Sequence, residues 1–348
     1  MELFNLTRTE IEEVVTALGM KPFRGRQIFR WLYQDLTTDF AAMTDIAKEG
    51  RAELVARFTA RPLATPEIFT SADGTEKLRF TLDDGAVIES VIIPEKDRIT
   101  LCISTQVGCP LGCRFCRTGS LGFQRNLTIR EIVGQHWAAQ KHLAEEGKRV
   151  TNIVFMGMGE PLLNLENTVK SAHIMMDDLG FNISNRRVTV STIGIPDKLD
   201  ALGGQISVNL ALSLHAVTDD KRQAIMPATK NWPLKELVAA LRRFPLPPRK
   251  KILIEYVLLR GVNDTPAEAR QLAKIARSLN AKINLIPFNS FPGAPYKPAT
   301  AAAIQAFQQT LWDEGLTVII RKSRGDEALA ACGQLGYVPG GADLEEDD

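Results

Sequence analysis

Apolar and polar positions follow three different periods along this chain. In the N-terminal stretch KPFRGRQIFRWLYQ, Ile28, Phe29, Trp31 and Leu32 recur at helical spacing, and Thr7 or Thr9 stands where a helix N-cap belongs. Residues 1–60 therefore read as a small helical accessory domain. Between about 65 and 94 the period drops to two. EKLRFTL and AVIESVIIP flank Asp83-Asp84-Gly85, which predicts a hairpin within a β extension over 61–94. From there on, apolar strand-like runs alternate with helical stretches: ITLCIST, TNIVFMG, RRVTVSTIG, ISVNLALSL, KILIEYVLL, KINLIPF and LTVIIR. Thr128 with Glu131, and Thr265 with Pro266 and Glu268, mark two helix starts as capping boxes.

Seven strands separated by helices imply an α/β unit with a parallel sheet, placed at 95–335. A dinucleotide-type open sheet would carry a glycine-rich fingerprint after its first strand. A cysteine cluster follows ITLCIST instead, so a partial or complete barrel is expected. Residues 336–348 read as a disordered acidic tail.

Composition adds little to this. With 348 residues, 45% of them hydrophobic and 24% charged, the chain can bury one large core. Its net charge is +1, but DLEEDD at the end holds five acids, leaving 42 basic against 36 acidic residues in the remainder. That mildly basic body suits a polyanion without requiring one. Lys21, Arg24, Arg26 and Arg30 are candidates for an RNA-facing surface, and Arg249 to Lys251, Arg321, Lys322 and Arg324 for phosphate contact. No run of about 18 apolar residues and no basic-then-apolar leader is present, so a cytoplasmic location without membrane contact is expected.

Cysteine placement changes the picture. Four of the five cysteines fall within fifteen residues, at 102, 109, 113 and 116, and the fifth is Cys332. Cys109, Cys113 and Cys116 form Cys-x3-Cys-x2-Cys in the loop CPLGCRFC. Zinc would want a fourth Cys or His nearby, and His136 lies within a predicted helix. Three thiolates holding a four-iron cluster leave one iron open, the arrangement that binding S-adenosylmethionine requires. A zinc knuckle and a purely electron-transferring cluster are the alternatives.

This loop after the first barrel strand resembles that of radical S-adenosylmethionine enzymes, whose fold is a partial (β/α)6 barrel. GCPLGCRFCRTGSLGFQRNLT, NIVFMGMGEPLLN, RRVTVSTIGIP, LALSLHA, NLIPFNSFPGAPY and RGDEALAACGQL extend the likeness to the RlmN/Cfr family, over residues 5 to 336. PFNSFPGAPY, the Glu-Pro of MGEP and the N-terminal KPFRGRQIFRWLY are closest to its RlmN branch. RTGSLGF departs from the polar STAQQGF-like stretch common there, and its Thr-Gly is similar to the Cfr branch.

The resemblance implies a methyltransferase acting on C2 of an adenosine in 23S rRNA and on the anticodon-adjacent adenosine of tRNA. It uses a 4Fe-4S cluster held by Cys109, Cys113 and Cys116, two S-adenosylmethionine molecules per turnover, and an electron donor such as flavodoxin or ferredoxin. Cys332 would carry the methyl group as S-methylcysteine, and Cys102 would resolve the protein–RNA adduct through a transient disulfide with Cys332. Glu89, whose side chain is expected to face the barrel mouth, would be the proton acceptor. Gly159, Glu160, Ser191, Ser213, Leu214, His215 and Asn289 would line the S-adenosylmethionine pocket. Two rivals are C8 methylation and a non-catalytic iron–sulfur RNA-binding or assembly factor. A monomer is expected.

Overall fold

A computed structural model describes residues 1–325 and 327–337. Three helices come first: α1 (Arg8–Ala17), α2 (Phe23–Tyr33) and α3 (Lys48–Arg57). Thr7 and Glu10 close a capping box on α1, and α2 buries Ile28, Phe29, Leu32 and Tyr33. Trp31, expected on that apolar stripe, is only half-buried, because its indole Nε1 donates to Asp45 Oδ1 at 2.7 Å. The basic residues of α2 are largely occupied within this unit: Arg24 donates to the Asp45 carbonyl, Arg26 pairs with Glu12, and Arg30 pairs with Asp35 and Asp45.

A three-stranded antiparallel extension follows, β1 (Glu67–Thr70), β2 (Glu76–Thr81) and β3 (Val87–Glu95). The Asp83-Asp84-Gly85 turn joins β2 to β3, with Gly85 at φ 81°. The strand β4 (Arg98–Cys102) then pairs with β3. After it, a small hairpin of β5 (Gln106–Gly108) and β6 (Phe123–Asn126) clasps the base of the cysteine loop, which contains the one-turn helix α4 (Arg117–Ser120).

The remaining chain alternates: α5 (Ile129–Ala144), β7 (Asn152–Phe155), α6 (Leu165–Met176), β8 (Val188–Thr192), α7 (Pro196–Gln205), β9 (Asn209–Ser213), α8 (Asp219–Ile225), α9 (Leu234–Arg243), β10 (Leu253–Leu258), α10 (Pro266–Ser278), β11 (Lys282–Pro287), α11 (Ala301–Asp313) and β12 (Val318–Ile320). All seven anticipated strands form, and both expected capping boxes are present on α5 and α10. One sheet runs β1-β2-β3-β4-β7-β8-β9-β10-β11-β12, parallel from β4 onward. Six β/α units and a seventh strand thus make an open, partial (β/α)6 barrel. Its strands read as apolar runs because helices cover their outer face.

The N-terminal helices dock on α5 and α6. Trp137 Nε1 donates to the Leu32 carbonyl at 2.9 Å, the Arg130 amide to Asn5 Oδ1 at 2.9 Å, and Lys170 pairs with Glu10 at 2.9 Å. Among the described residues no helix is long and apolar enough to cross a membrane. The expected tail from 336 is packed at its start: Gly336 donates its amide to Glu89, and Arg79 stacks over the Tyr337 ring. Residues 338–348 lie outside the described residues.

Candidate functional site

The cysteine loop keeps its shape through glycine. Gly108 sits at φ 72°, and a Cβ there would lie 1.9 Å from the Gly122 carbonyl oxygen. That close approach lets the Cys109 amide donate to the Gly122 carbonyl at 2.8 Å and turns the loop over the barrel. Cys109, Cys113 and Cys116 all line one cavity of about 940 Å³, counted out to its mouth, at the C-terminal ends of the parallel strands.

Burial pushes the Cys109 thiol up to about 12, the Cys113 thiol well above its ordinary range, and the Cys116 thiol upward. Repulsion from the neighbouring cysteines adds to the rise at Cys109 and Cys113. Three such thiols ionise together only against a metal cation. Three thiols on one short loop, all lining one cavity and with no fourth Cys or His on that loop, fit the three-cysteine ligation of an iron–sulfur cluster.

Opposite the thiols stands the β7–α6 turn. Gly159 adopts φ 100° and packs directly on Gln106, whose Oε1 accepts the Glu160 amide at 2.9 Å. Glu160 is 2% exposed; its Oε1 accepts from the Leu162 amide and its Oε2 from the Ile193 amide, both at 3.0 Å. Burial outweighs these hydrogen bonds and raises its carboxyl to about 7. Ser191, Ser213, His215 and Asn289 line the same cavity. His215 takes φ 57°, and its Nδ1 accepts from the Val257 amide at 3.0 Å, which leaves the ring proton on Nε2. Burial, with the Arg222 charge, lowers its pKa to about 3, so the ring is neutral.

Two anticipated residues, Leu214 and Glu89, have side chains outside the cavity wall. Leu214 is fully buried in the core and is not part of the cavity wall. It follows Ser213 directly, and the chain here sends successive side chains to opposite faces. Glu89 does not face the barrel mouth: it is 1% exposed, outside the cavity wall, and held by Lys77 Nζ at 3.3 Å, Arg79 Nε at 3.5 Å and the Gly336 amide at 2.7 Å. Arg321, a candidate for phosphate contact, lines the cavity. There its charge opposes the rise that burial imposes on the Cys332 thiol.

Cys332 lines the cavity beside that arginine, whereas Cys102 is buried outside the cavity wall, near enough to both for their charges to act on it. Both cysteines are free thiols. Burial, and next the nearby Cys332, push Cys102 up to about 12. Asn289 donates Nδ2 to the Cys332 carbonyl at 3.0 Å, the Arg117 amide donates to the Gly333 carbonyl at 2.7 Å, and Thr118 Oγ1 donates to the Leu335 carbonyl at 2.6 Å. The cysteine 230 positions downstream is thus seated directly on the cluster loop.

Sequence reasoning missed Glu255 and Arg222. Glu255, on β10, lines the cavity beside Arg321 and accepts from Asn284 Nδ2 at 2.8 Å. An acid within the apolar run ILIEYVLL was its available signal. Arg222 is fully buried and donates to the Ile193, Leu214 and Trp232 carbonyls. It ties together the ends of β8 and β9, and only its place in the fold reveals this.

A parallel barrel open at one side, with three cysteines and a cavity at its C-terminal rim, defines a radical S-adenosylmethionine enzyme. Comparison with known proteins agrees. Residues 1–59 match the ribosomal RNA large subunit methyltransferase N-terminal domain, and residues 103–273 match the radical SAM superfamily. The chain is 48% identical over 335 residues to a dual-specificity RNA methyltransferase RlmN of Geobacter sulfurreducens, covering 96% of this chain and 92% of that one. It is 47% identical to that of Desulfotalea psychrophila, covering 96% and 94%. A solved radical SAM methyltransferase from Sphaerobacter thermophilus superposes with a TM-score of 0.89 at 42% identity, covering 96% of this chain and 99% of that chain. The chain belongs to the RlmN family.

Proposed function

We propose that this protein methylates C2 of adenosine in 23S rRNA and tRNA by radical S-adenosylmethionine chemistry. The observation that carries this reading is that Cys332 and Arg321 line the same cavity as the three cluster thiols, with the buried Cys102 near enough to feel the Cys332 charge. An amidine carbon such as C2 is too weakly nucleophilic to displace a sulfonium methyl, so the methyl needs a carrier on the protein. Cys332, whose ionised form the Arg321 guanidinium favours, takes that methyl by ordinary displacement from a first S-adenosylmethionine. When bound, a 4Fe-4S cluster on Cys109, Cys113 and Cys116 supplies the electron that cleaves a second S-adenosylmethionine.

The S-methyl carbon of Cys332, after giving a hydrogen atom to the 5′-deoxyadenosyl radical, bonds to C2; Glu89 accepts the ring proton, and the electron left on the adduct returns to the electron carrier. The Cys102 thiolate then attacks the sulfur of Cys332, the carbon–sulfur bond breaks with its electron pair going to the methylene carbon, which takes up a proton to become the methyl group, and a Cys102–Cys332 disulfide remains that an external reductant resets. Gly159, Glu160, Ser191, Ser213, His215 and Asn289 hold S-adenosylmethionine, with the Glu160 carboxylate facing its ammonium. The N-terminal helices guide the RNA, and a flavodoxin or ferredoxin donates the electron to a monomeric, cytoplasmic enzyme.

Anaerobic reconstitution with iron and sulfide, followed by dithionite, S-adenosylmethionine and an rRNA fragment, tests the reading by mass spectrometry. Wild type is expected to form 5′-deoxyadenosine and 2-methyladenosine, and Cys332→Ala to form no methylated base. A product of 8-methyladenosine would move the chemistry to C8. Absence of cofactor cleavage by a loaded cluster would refute the reading.

A further inference from the structure

Among the described residues from Lys322 to Tyr337, which include Cys332, none belongs to a helix or strand. The segment is stitched to the β1–β2 turn at its start, through Gly325 to Asp73 at 3.2 Å and Ala328 to Ser71 at 3.2 Å, and to the cluster loop in its middle. Its far end rests on Glu89. That carboxylate accepts from the Gly336 amide at Oε2, 2.7 Å away, while Oε1 faces Lys77 and Arg79, and Arg79 in turn covers the Tyr337 ring at 4.2 Å. All three charged side chains are at most 9% exposed. A charge-assisted bond in so dry a setting is a strong fastener for an irregular loop.

This placement also bears on the proton. A carboxylate committed to a backbone amide outside the cavity wall cannot at the same time reach an adenine ring bound inside it. Cys332, for its part, has to face a methyl donor, then the adenine, then Cys102. A segment that carries one sulfur to three partners must be held in register and let go.

We propose that Glu89 is a positioning residue for Cys332: its carboxylate latches the C-terminal segment through the Gly336 amide, and opening of that latch is what frees Glu89 to accept the ring proton. The proposal rests on the reading of Cys332 as methyl carrier. It makes release of the base and movement of the carrier one event.

The test is alkylation of Cys332 by iodoacetamide in the cluster-loaded enzyme without RNA, mapped by peptide mass spectrometry. Glu89→Ala is expected to raise the rate about tenfold or more, the factor that follows from losing one hydrogen bond to a charged group. Glu89→Gln retains an oxygen for the Gly336 amide but not the charge, so its alkylation is expected to lie between wild type and Glu89→Ala while methyladenosine formation is lost. Alkylation of Glu89→Ala at the wild-type rate, with an unchanged melting temperature, would overturn the proposal. Hydrogen exchange of the wild-type enzyme gives a second measurement that needs no variant: the Gly336 amide is expected to be protected, and exchange at the rate of an unbonded amide would overturn the latch equally. Methyladenosine formation by Cys332→Ala would remove the carrier reading alone, because the alkylation and exchange results do not depend on turnover.

Discussion

Gly159→Ala isolates the contact that places Glu160 against the cysteine loop. Two costs combine. At φ 100° an L residue is strained by about 1–3 kcal/mol. The new Cβ would also lie 2.6 Å from Gln106 Cβ and 2.9 Å from the Gln106 backbone nitrogen, an overlap that costs about 1–3 kcal/mol to relieve. The sum is about 2–6 kcal/mol. With an unfolding entropy of about 2.1 cal/mol/K per residue over 348 residues, the melting temperature is expected to fall by about 3–8 °C.

Gly85→Ala is the matched control, because Gly85 has φ 81° but a Cβ added there would meet nothing within 4 Å. It carries the backbone strain alone and is expected to lose about 1–4 °C. Calorimetry of both variants gives the comparison, and equilibrium binding of S-adenosylmethionine gives the functional half. Displacing Gln106 removes the acceptor of the Glu160 amide, so affinity is expected to weaken for Gly159→Ala and to stay unchanged for Gly85→Ala. Equal melting losses in the two variants, or unchanged affinity for Gly159→Ala, would refute the reasoning.

Two pH dependences of opposite sign follow from buried groups. Glu160 has a folded-state pKa of about 7 against an ordinary value of 4.5, so the fold favours its protonated form. Its stabilising contribution is complete below pH 4.5 and lost as pH rises through 7, amounting to about 3 kcal/mol by pH 8; urea titration of Glu160→Gln should lack this slope. S-adenosylmethionine affinity is expected to fall up to about tenfold per pH unit below 7, and a flat wild-type binding profile would exclude Glu160 as the ammonium partner. His136 is the reverse case. Burial lowers it to about 3, its ring stacks on Phe181 at 3.8 Å, and neither ring nitrogen has a hydrogen-bond partner among the described residues. Its contribution is present above pH 6.5 and falls by about 2 kcal/mol at pH 5. His136→Leu is expected to remove that acid sensitivity and to raise stability at pH 7 by about 1–3 kcal/mol, read by the same titration.

The sequence by itself determined what local periodicity and spacing can carry. Seven strands, their connecting helices and the capping boxes at Thr128 and Thr265 were legible because hydrophobic period and cap chemistry are properties of neighbouring residues. Cys-x3-Cys-x2-Cys was legible for the same reason, since three ligands on one short loop need no distant partner. The short strands β1, β5 and β6 were not legible. The pairing of β5 with β6 depends on the approach of Gly108 to Gly122 across fourteen residues.

The tertiary structure decided every relation that spans the chain. It seats Cys332 on the cluster loop and sets Arg321 in the cavity wall beside it. It sends Leu214 into the core, and it commits Glu89 to a backbone amide 247 residues away. A strand's alternation says that successive side chains take opposite faces. Which face meets a cavity, and which meets another segment, depends on how distant elements pack, and that is set by the closure of the barrel as a whole.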